Sequence, residues 1–189
     1  MHEMLKKSII QLQDHLRRKE VSCLELLNIH IEHILKWNPH LNAMVEDRFL
    51  EARKQAQHFD DVGDFETLPL AGIPCTIKEC FALENMPQSS GLYTRRHVRS
   101  STNAPVVQKL LDAGAIPMGV SNLSELCMWM ESNNTVYGRS NNPYDLRCTT
   151  GGSSGGEGAL VGCGSSPFGL GSDIGGSIRM PAFFNGVFG

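Results

Sequence analysis

The sequence has few of the features that mark membrane, secreted or nucleic-acid-binding proteins. No run approaches the roughly 18 apolar residues of a membrane span, and residues 1–7 lack the apolar region of a signal peptide. The net charge of −3 provides no basic surface for nucleic acid or for a membrane. The six cysteines are scattered without C-x-x-C spacing, which favours free thiols in a reducing compartment over disulfides or zinc. The sequence therefore predicts a cytoplasmic globular protein without a cofactor or a metal.

Histidine is missing after residue 97, and the serine-rich motifs lie in that part of the chain. Ser153 and Ser154 both satisfy G-x-S-x-G, but the triad of an α/β-hydrolase needs a later histidine, and none follows His97. A phosphate-binding loop needs a lysine after its glycines, and dinucleotide binding needs G-x-G-x-x-G. Neither pattern occurs, so these three common interpretations of the glycines are excluded.

What the sequence has in excess is glycine near its C-terminus. Thirteen of the 19 glycines lie between Gly151 and Gly189. Because glycine costs backbone entropy, such density indicates either a flexible linker or a close approach of the backbone to a bound molecule. Large apolar residues are interleaved with these glycines, and a solvated linker would not carry them. We therefore expect a rigid loop system that approaches a substrate.

Apolar periodicity predicts helices that alternate with short buried strands. Helices are expected over residues 8–20, from Ser22 to just before Pro39, over 47–60 and over 106–113. Strands are expected over 41–46, 72–78 and 116–120, with a loop over 60–67 and irregular structure over 80–101. This alternation in 189 residues predicts one α/β domain with a mixed β-sheet flanked by helices.

Serine chemistry without histidine needs another base, and Lys78 is the candidate. It ends a short apolar strand, and a lysine is a base only in its neutral form, which burial favours. A solvated surface lysine is the alternative. Ser177 follows Gly175 and Gly176 at a predicted helix start, where it could cap the helix. A nucleophilic role is compatible with capping, because backbone N–H groups at this place can stabilise an oxyanion.

The chain resembles the amidase signature family. The resemblance rests on residues 151–156 and 173–179, on the strand ending at Lys78, and on residues 122–125 and 138–145. It implies the family's core, incomplete in this chain, as the N-terminal part of a single amidase domain. Residues 1–60 would form a helical lead-in and residues 68–189 the catalytic core. Because members of the family are longer, we expect the chain alone to be inactive.

The resemblance also implies roles for individual residues. Ser177 would be the acylated nucleophile, Ser153 the bridging serine after a cis Gly152–Ser153 peptide, and Lys78 the base. The backbone N–H groups of four residues would be the oxyanion donors: Ile174, Gly175, Gly176 and Ser177. Ser154 would support the hydrogen-bond network, and Cys127 would contact the substrate. Asp173 and Arg179 would form a structural ion pair. Cys127 has the alternative of a small buried hydrophobic residue.

The substrate expectation is carried by two short segments, 128–132 and 180–185, which look most like family members acting on fatty-acid amides. They imply hydrolysis of long-chain acyl amides through an acyl-enzyme, with no nucleic-acid partner. A homodimer, and membrane attachment through regions absent here, are compatible with the resemblance. Met128, Trp129 and Met130 could line an acyl channel, although plain core is the commoner role of such a cluster. The alternatives are an amidotransferase subunit that generates ammonia for an acceptor such as a charged tRNA, and an inactive fragment that acts only by interaction.

Overall fold

The computed structural model describes residues 1–63 and 65–189. Its helices are α1 (Ile9–Arg17), α2 (Cys23–Leu41), α3 (Phe49–Val62), α4 (Pro105–Asp112), α5 (Gly155–Gly162) and α6 (Arg179–Asn185). Its strands are β1 (Met44–Asp47), β2 (Pro74–Lys78), β3 (Ile116–Ser121), β4 (Asn133–Asn134), β5 (Gly138–Arg139) and β6 (Gly169–Leu170). Short 3-10 helices cover Glu3–Lys6, Tyr93–Arg95 and Glu125–Cys127. Residue 64 of the predicted 60–67 loop lies outside the described residues.

The sheet is mixed, as the alternation of helices and strands predicts. Its strand order is β1-β3-β2-β6, with β1 antiparallel to β3 and the other two pairings parallel. β4 and β5 form a separate antiparallel pair. Every residue of β2 and β3 is buried, because helices and loops cover both faces of the parallel part of the sheet. Lys78 is the last residue of β2 and lies beside Ser121 of β3.

Two hydrophobic clusters lie on the sheet. The larger one packs α1, α2 and α3 against β3, and the smaller one packs α4 against β2 and β3. The apolar residues that predicted α1 and α2, such as Leu12, Leu16 and Ile31, belong to the larger cluster. Ser8 and Ser22 begin these two helices with capping boxes, each typically contributing about 1 kcal/mol to helix stability.

The predicted end of α2 before Pro39 is wrong, because the helix continues to Leu41. A proline inside a helix removes one hydrogen bond to the carbonyl four residues earlier. Here that carbonyl belongs to Leu35, whose residue is 60% exposed, so water can replace the lost donor. The Asn38 side chain then accepts from the N–H groups of Ala43 and Met44 and fixes the chain as it leaves the helix.

The loop system expected over residues 151–189 also contains regular structure: the helix expected near Ser177 is α6, and α5 and β6 were not expected. Glycine weakens a helix by about 1 kcal/mol per residue, which hid α5 from sequence patterns. A Cβ on Gly156 would lie 2.5 Å from the Asn122 backbone nitrogen, and one on Gly158 would lie 2.7 Å from the Asn185 amide. These glycines therefore allow α5 to pack closely against its neighbours.

Candidate active site

Lys78 is enclosed at the carboxyl end of β2 and has no exposed surface. Its Nζ donates hydrogen bonds to Ser153 Oγ over 2.7 Å and to Ser172 Oγ over 3.0 Å. The surface alternative for this lysine is therefore wrong. Ser172 is a contact that the sequence analysis missed, although it lies next to Asp173 in the segment that carried the resemblance.

Ser153 lies where α5 approaches β3, and its backbone is held by two other serines. The Gly152–Ser153 peptide bond is cis, as the resemblance implies. The Ser153 carbonyl accepts from Ser124 N over 3.3 Å and from Ser132 Oγ over 3.2 Å. Ser132 Oγ in turn accepts from the Gly155 N–H over 2.7 Å. The roles of Ser124 and Ser132 were not predicted, because the residues next to a serine do not show that it will bond a backbone group far along the chain.

Ser177 is half-buried and lies two positions before the start of α6. Its carbonyl accepts from the Ser154 N–H over 3.0 Å, which ties it to the α5 side of the site. Across residues 1–63 and 65–189, its hydroxyl makes no hydrogen bond, including none to Ser153. Ser154 Oγ also accepts from Ser172 N and donates to Ser172 O, both over 3.3 Å. The structure therefore brings Lys78 and Ser153 into contact and leaves the Ser177 hydroxyl unbonded.

The segment between Asp173 and Ser177 presents backbone N–H groups toward open space. Ile174 is fully exposed, and a Cβ on Gly175 would meet no atom within 4 Å. The N–H groups of Ile174, Gly175 and Ser177 have no acceptor in the described part of the chain. Gly176 differs from the implied assignment, because its N–H donates to Asp173 Oδ1 over 2.6 Å. Three of the four implied oxyanion donors are therefore free.

Asp173 fixes the shape of this segment. Besides the Gly176 N–H, its carboxylate accepts from the backbone of Ile178 and Arg179 and from the Arg179 guanidinium over 3.0 Å. The expected structural ion pair is thus confirmed. The hydrogen bond from Arg179, with help from the backbone donors, lowers the pKa of Asp173 below its usual range. Asp173 therefore remains an acceptor at any pH near neutrality and holds the serine loop against α6.

Glu79 organises the opposite side of the site and was not expected from the sequence. Its fully buried carboxylate accepts from Ser89 N and Oγ, both over 2.6 Å, from Ser90 N over 2.8 Å and from the Tyr137 hydroxyl over 2.7 Å. Leu126 N then donates to the Ser90 carbonyl over 2.7 Å. Glu79 therefore positions the short Glu125–Cys127 helix, which borders Ser153. The only indication of a role for Glu79 in the sequence is its position directly after Lys78.

Glu157 is a second buried acid that the sequence analysis did not single out. It lies in α5, and Thr76 Oγ1 of β2 donates to its Oε2 over 2.5 Å. Its Oε1 has no hydrogen-bond partner in the described part of the chain. Burial raises the pKa of this carboxyl to about 7, although the hydrogen bond from Thr76 opposes that rise. The site therefore contains a carboxyl that changes charge near neutral pH.

Cys127 and the residues after it lie beside Ser153. Cys127 is half-buried with a φ of 58°, and its N–H donates to the carbonyl of Ser124, whose own N–H donates to the Ser153 carbonyl. Met128, Trp129 and Met130 are 79%, 62% and 59% exposed, so the interpretation of these three as plain core is wrong. The Trp129 carbonyl lies 2.6 Å from where a Cβ on Gly152 would be, so this exposed segment runs along the serine motif.

Neither a metal-binding cluster nor a membrane-spanning helix occurs in the described part of the chain. Within residues 1–63 and 65–189, no cluster of three or more His, Cys, Asp or Glu side chains is placed to hold a metal ion. Across the same residues, no helix combines the length and the apolar composition needed to cross a bilayer.

The chain matches known proteins over nearly its whole length. The family model described as Amidase matches residues 25–189. "Fatty-acid amide hydrolase 2-A" of Danio rerio is 53% identical over 98% of this chain. A glutamyl-tRNA(Gln) amidotransferase subunit of Methanosarcina acetivorans is 41% identical over 96% of this chain. A solved structure of "Fatty acid amide hydrolase" superposes with a TM-score of 0.88 and 30% identity over 95% of this chain.

These matches cover only part of each relative. The chain spans 37% of both curated relatives and 32% of the solved structure. The fold class is therefore that of the amidase enzymes, with a core that is incomplete in this chain, as the sequence analysis predicted.

Proposed function

Because this chain belongs to the amidase family, we propose that it carries the catalytic centre of an enzyme that hydrolyses carboxamide bonds, with fatty-acid amides as the substrate class. In this proposal Ser177 is the nucleophile, Ser153 the bridging serine and Lys78 the base. All three lie within residues 68–189, the proposed catalytic core, and residues 1–60 form its helical lead-in.

The observation that carries the proposal is the 2.7 Å bond between Lys78 Nζ and Ser153 Oγ in a fully buried setting. A buried lysine needs a reason, since lysine is almost never fully buried without a partner. Its two partners here are neutral hydroxyl groups, Ser153 and Ser172, rather than carboxylates. A hydroxyl partner can pass a proton to the Lys78 amine, which supports a role for Lys78 as a base.

The proposed acylation step moves one proton along this pair of residues. Ser177 Oγ attacks the carbonyl carbon while its proton passes to Ser153 Oγ, which gives its own proton to the Lys78 amine. The carbonyl oxygen becomes an oxyanion next to the free N–H groups of Ile174, Gly175 and Ser177. The proton then returns through Ser153 to the nitrogen as the C–N bond breaks, and the amine leaves. Water repeats the sequence on the acyl-enzyme, releases the acid and restores Ser177.

Fatty-acid amides are favoured by the apolar surface beside the serines. Met128, Trp129 and Met130 are all more than half exposed, and Ile174 next to the proposed oxyanion site is fully exposed. An acyl chain lying on these residues would remove apolar surface from water, worth about 25 cal/mol per Å². The names of the Danio rerio relative and of the solved structure agree with this choice of substrate.

An amidotransferase subunit is the second candidate, favoured by the 41% identity to the Methanosarcina acetivorans protein. Such a subunit would use the same serines to release ammonia from glutamine and pass it to an acceptor held by partner subunits. The two functions differ in what they need: fatty-acid amide hydrolysis proceeds without partners, whereas ammonia transfer depends on them. The exposed apolar segment 128–130 favours the first.

The decisive experiment is covalent labelling of the full-length protein with a serine-reactive fluorophosphonate, followed by mapping of the adduct. We expect the adduct on Ser177 and competition by a long-chain fatty-acid amide but not by glutamine. An adduct on Ser153 or Ser154 would reverse the assignment of roles. Competition by glutamine alone would favour the amidotransferase, and no adduct in well-folded protein would leave only a non-catalytic interaction role.

A further inference from the structure

Glu79 is a buried acid that the proposed proton relay does not use. Its backbone N–H donates to the Ser121 carbonyl over 3.1 Å and extends the pairing of β2 with β3. Its side chain has no exposed surface, and its carboxylate accepts from Ser89, Ser90 and Tyr137. All of these donors are neutral groups. Burying a carboxylate is costly unless it is hydrogen-bonded, so Glu79 and its donors hold one another in place.

The two carboxylate oxygens of Glu79 hold different parts of the chain. Oε1 accepts from the N–H and the hydroxyl of Ser89, both over 2.6 Å, and from the Tyr137 hydroxyl over 2.7 Å. Oε2 accepts from the Ser90 N–H over 2.8 Å. Ser90 has a φ of 53°, in the left-handed region that residues with side chains rarely occupy. Because such a backbone persists only where its surroundings fix it, the bond to Oε2 maintains the conformation of Ser90.

Ser90 carries this constraint to an exposed part of the chain. Its carbonyl accepts from the Leu126 N–H over 2.7 Å. Leu126 has a φ of 52° and is 50% exposed, so burial of its own side chain does little to hold it. Residues 126–130, which begin at Leu126, are here called the apolar segment. The first residue of this segment is therefore held by a bond that leads through Ser90 to Glu79.

The other attachment of the apolar segment lies beside the serines. The Ser124 hydroxyl donates to the Trp129 carbonyl over 2.8 Å, and the Ser124 N–H donates to the Ser153 carbonyl over 3.3 Å. Between the two attachments, the side chains of Met128, Trp129 and Met130 are mostly exposed. Little packing fixes these side chains, so their position next to Ser153 depends on the two attachments.

We propose that Glu79 is a positioning residue for substrate selection: through Ser90 it fixes the apolar segment as a preformed surface for a long acyl chain. Because residues 128–130 receive the acyl chain only in the proposed function, this role of Glu79 rests on that function. A surface that is ordered before binding loses less conformational freedom when the chain arrives. Short amides that do not reach the segment gain nothing from it, so loss of Glu79 should penalise long chains and leave the chemistry at Ser177 intact.

Glu79→Gln separates the effects of the two oxygens. A glutamine side chain keeps one oxygen acceptor and replaces the other oxygen with an NH2 group, which only donates. With its oxygen toward the donors of Ser89 and Tyr137, its NH2 group faces the Ser90 N–H, and two donors cannot bond each other. The opposite orientation would lose the bonds to Ser89 and Tyr137. The substitution therefore releases Ser90 and keeps the other partners, with the size of the side chain almost unchanged.

The first test uses the full-length protein and two fluorophosphonate probes, one with a methyl group and one with a dodecyl group on phosphorus. We expect wild type to react faster with the dodecyl probe. In Glu79→Gln the dodecyl rate should fall by roughly tenfold, and the methyl rate should stay within about twofold of wild type. Glu84→Gln makes the same chemical change at an exposed glutamate and is the matched control, with both rates unchanged.

The outcomes distinguish this role of Glu79 from a general structural one. Equal falls for both probes would show that Glu79 supports the whole site rather than the selection of chains. Equal rates of the two probes in wild type would show that the apolar segment selects no chain. Either result would overturn the proposal. Absence of all labelling in folded wild type would contradict the proposed function itself and remove the selection with it, while the link from Glu79 to Leu126 is measured separately.

Hydrogen exchange measures that link without any chemistry at the serines. In wild type, the Leu126 N–H should exchange more slowly than those of Trp129 and Met130, which have no acceptor in the described part of the chain. In Glu79→Gln, exchange at Leu126 should become at least roughly tenfold faster. An unchanged rate in the folded variant would overturn the proposal. So would fast exchange at Leu126 in wild type, a result that does not depend on whether the variant folds.

Discussion

Lys78 and Ser153 lie 75 positions apart in the chain, yet a 2.7 Å hydrogen bond joins their side chains at the end of β2. Neither residue has any exposed surface. The bond connects the central strand of the sheet to the turn that begins α5. Its two ends therefore belong to different elements, and each can be replaced without removing the other.

Lys78→Ala is expected to remove the base. General base catalysis typically contributes 10²–10⁴-fold, so the acylation rate should fall by about that factor. Because a base acts only when deprotonated, the wild-type rate should rise with pH to a plateau, and this dependence should disappear in the variant. The measurement is the rate of fluorophosphonate labelling from about pH 6 to pH 10. Equal rates and an unchanged profile in Lys78→Ala would exclude lysine as the base.

Ser177→Ala and Ser153→Ala should affect covalent labelling in different ways. Without Ser177 Oγ there is no atom to acylate, so covalent labelling should be lost. Without Ser153 Oγ the attachment point remains, and labelling should become slower but still occur at Ser177. Intact-protein mass spectrometry over time distinguishes loss from delay. Complete labelling of Ser177→Ala would contradict the assignment.

Ser172→Ala should remove one hydrogen bond of the Lys78 amine and leave the bond between Lys78 and Ser153 in place. One hydrogen bond is worth about 0.5–1.5 kcal/mol, so the labelling rate should fall by roughly three- to tenfold. Ser101→Ala, at an exposed serine far from the lysine, is the control and should leave the rate unchanged. A loss as large as that of Lys78→Ala would instead give Ser172 a direct part in proton transfer.

Glu157→Gln should change how stability depends on pH. Burial raises the pKa of Glu157 to about 7 from an ordinary 4.5, so between these values the folded state binds more protons than the unfolded state. The free energy of unfolding should therefore fall as pH rises through this window, by roughly 3 kcal/mol at most. Urea titrations at about pH 5 and pH 8 should show a smaller fall for Glu157→Gln than for wild type. Glu51→Gln, at an exposed glutamate, is the control, and equal falls in all three proteins would refute the prediction.

Gly156→Ala and Gly175→Ala form a matched pair. A Cβ at position 156 would lie 2.5 Å, 2.6 Å and 2.7 Å from backbone atoms of Asn122 and Ala43, which cannot move aside cheaply. This variant should lose about 1–3 kcal/mol of stability or more. A Cβ at 175 meets nothing within 4 Å, so that variant should remain within about 0.5 kcal/mol of wild type. Thermal unfolding measures both, and an equal loss would contradict the packing argument.

Much of the fold could be predicted from local patterns. The capping box at Ser22 and Pro105 in the first turn of α4 gave the starts of two helices, and apolar periodicity indicated α1. The fully buried strands β2 and β3 were recognisable because burial on both faces leaves few polar residues in them. The helix α5 was missed because its glycines oppose a helix locally and are required only by what packs against it. Tertiary contact here overrides propensity.

The candidate site also contains residues that local sequence patterns revealed and residues that they did not. Lys78, Ser153, Ser177 and their glycines lie in short contiguous motifs, so their types and spacing were informative. Ser172 and Glu79 act through contacts with residues far along the chain, Lys78 and Tyr137 respectively. Nothing near them in sequence indicates those partners. The sequence thus indicated the candidate catalytic residues but not the residues that hold them in place.

The strand that carries Lys78 is held more firmly than the turn that carries Ser177. Lys78 is attached to a strand that is hydrogen-bonded on both sides and buried at every position. Ser177 is attached to a turn whose neighbours Ile174 and Gly175 are exposed and whose N–H groups are largely unbonded. Local opening costs least where backbone hydrogen bonds are few and exposed. The lysine is therefore a fixed reference point, and any adjustment to the shape of an incoming carbonyl group is made by the serine turn.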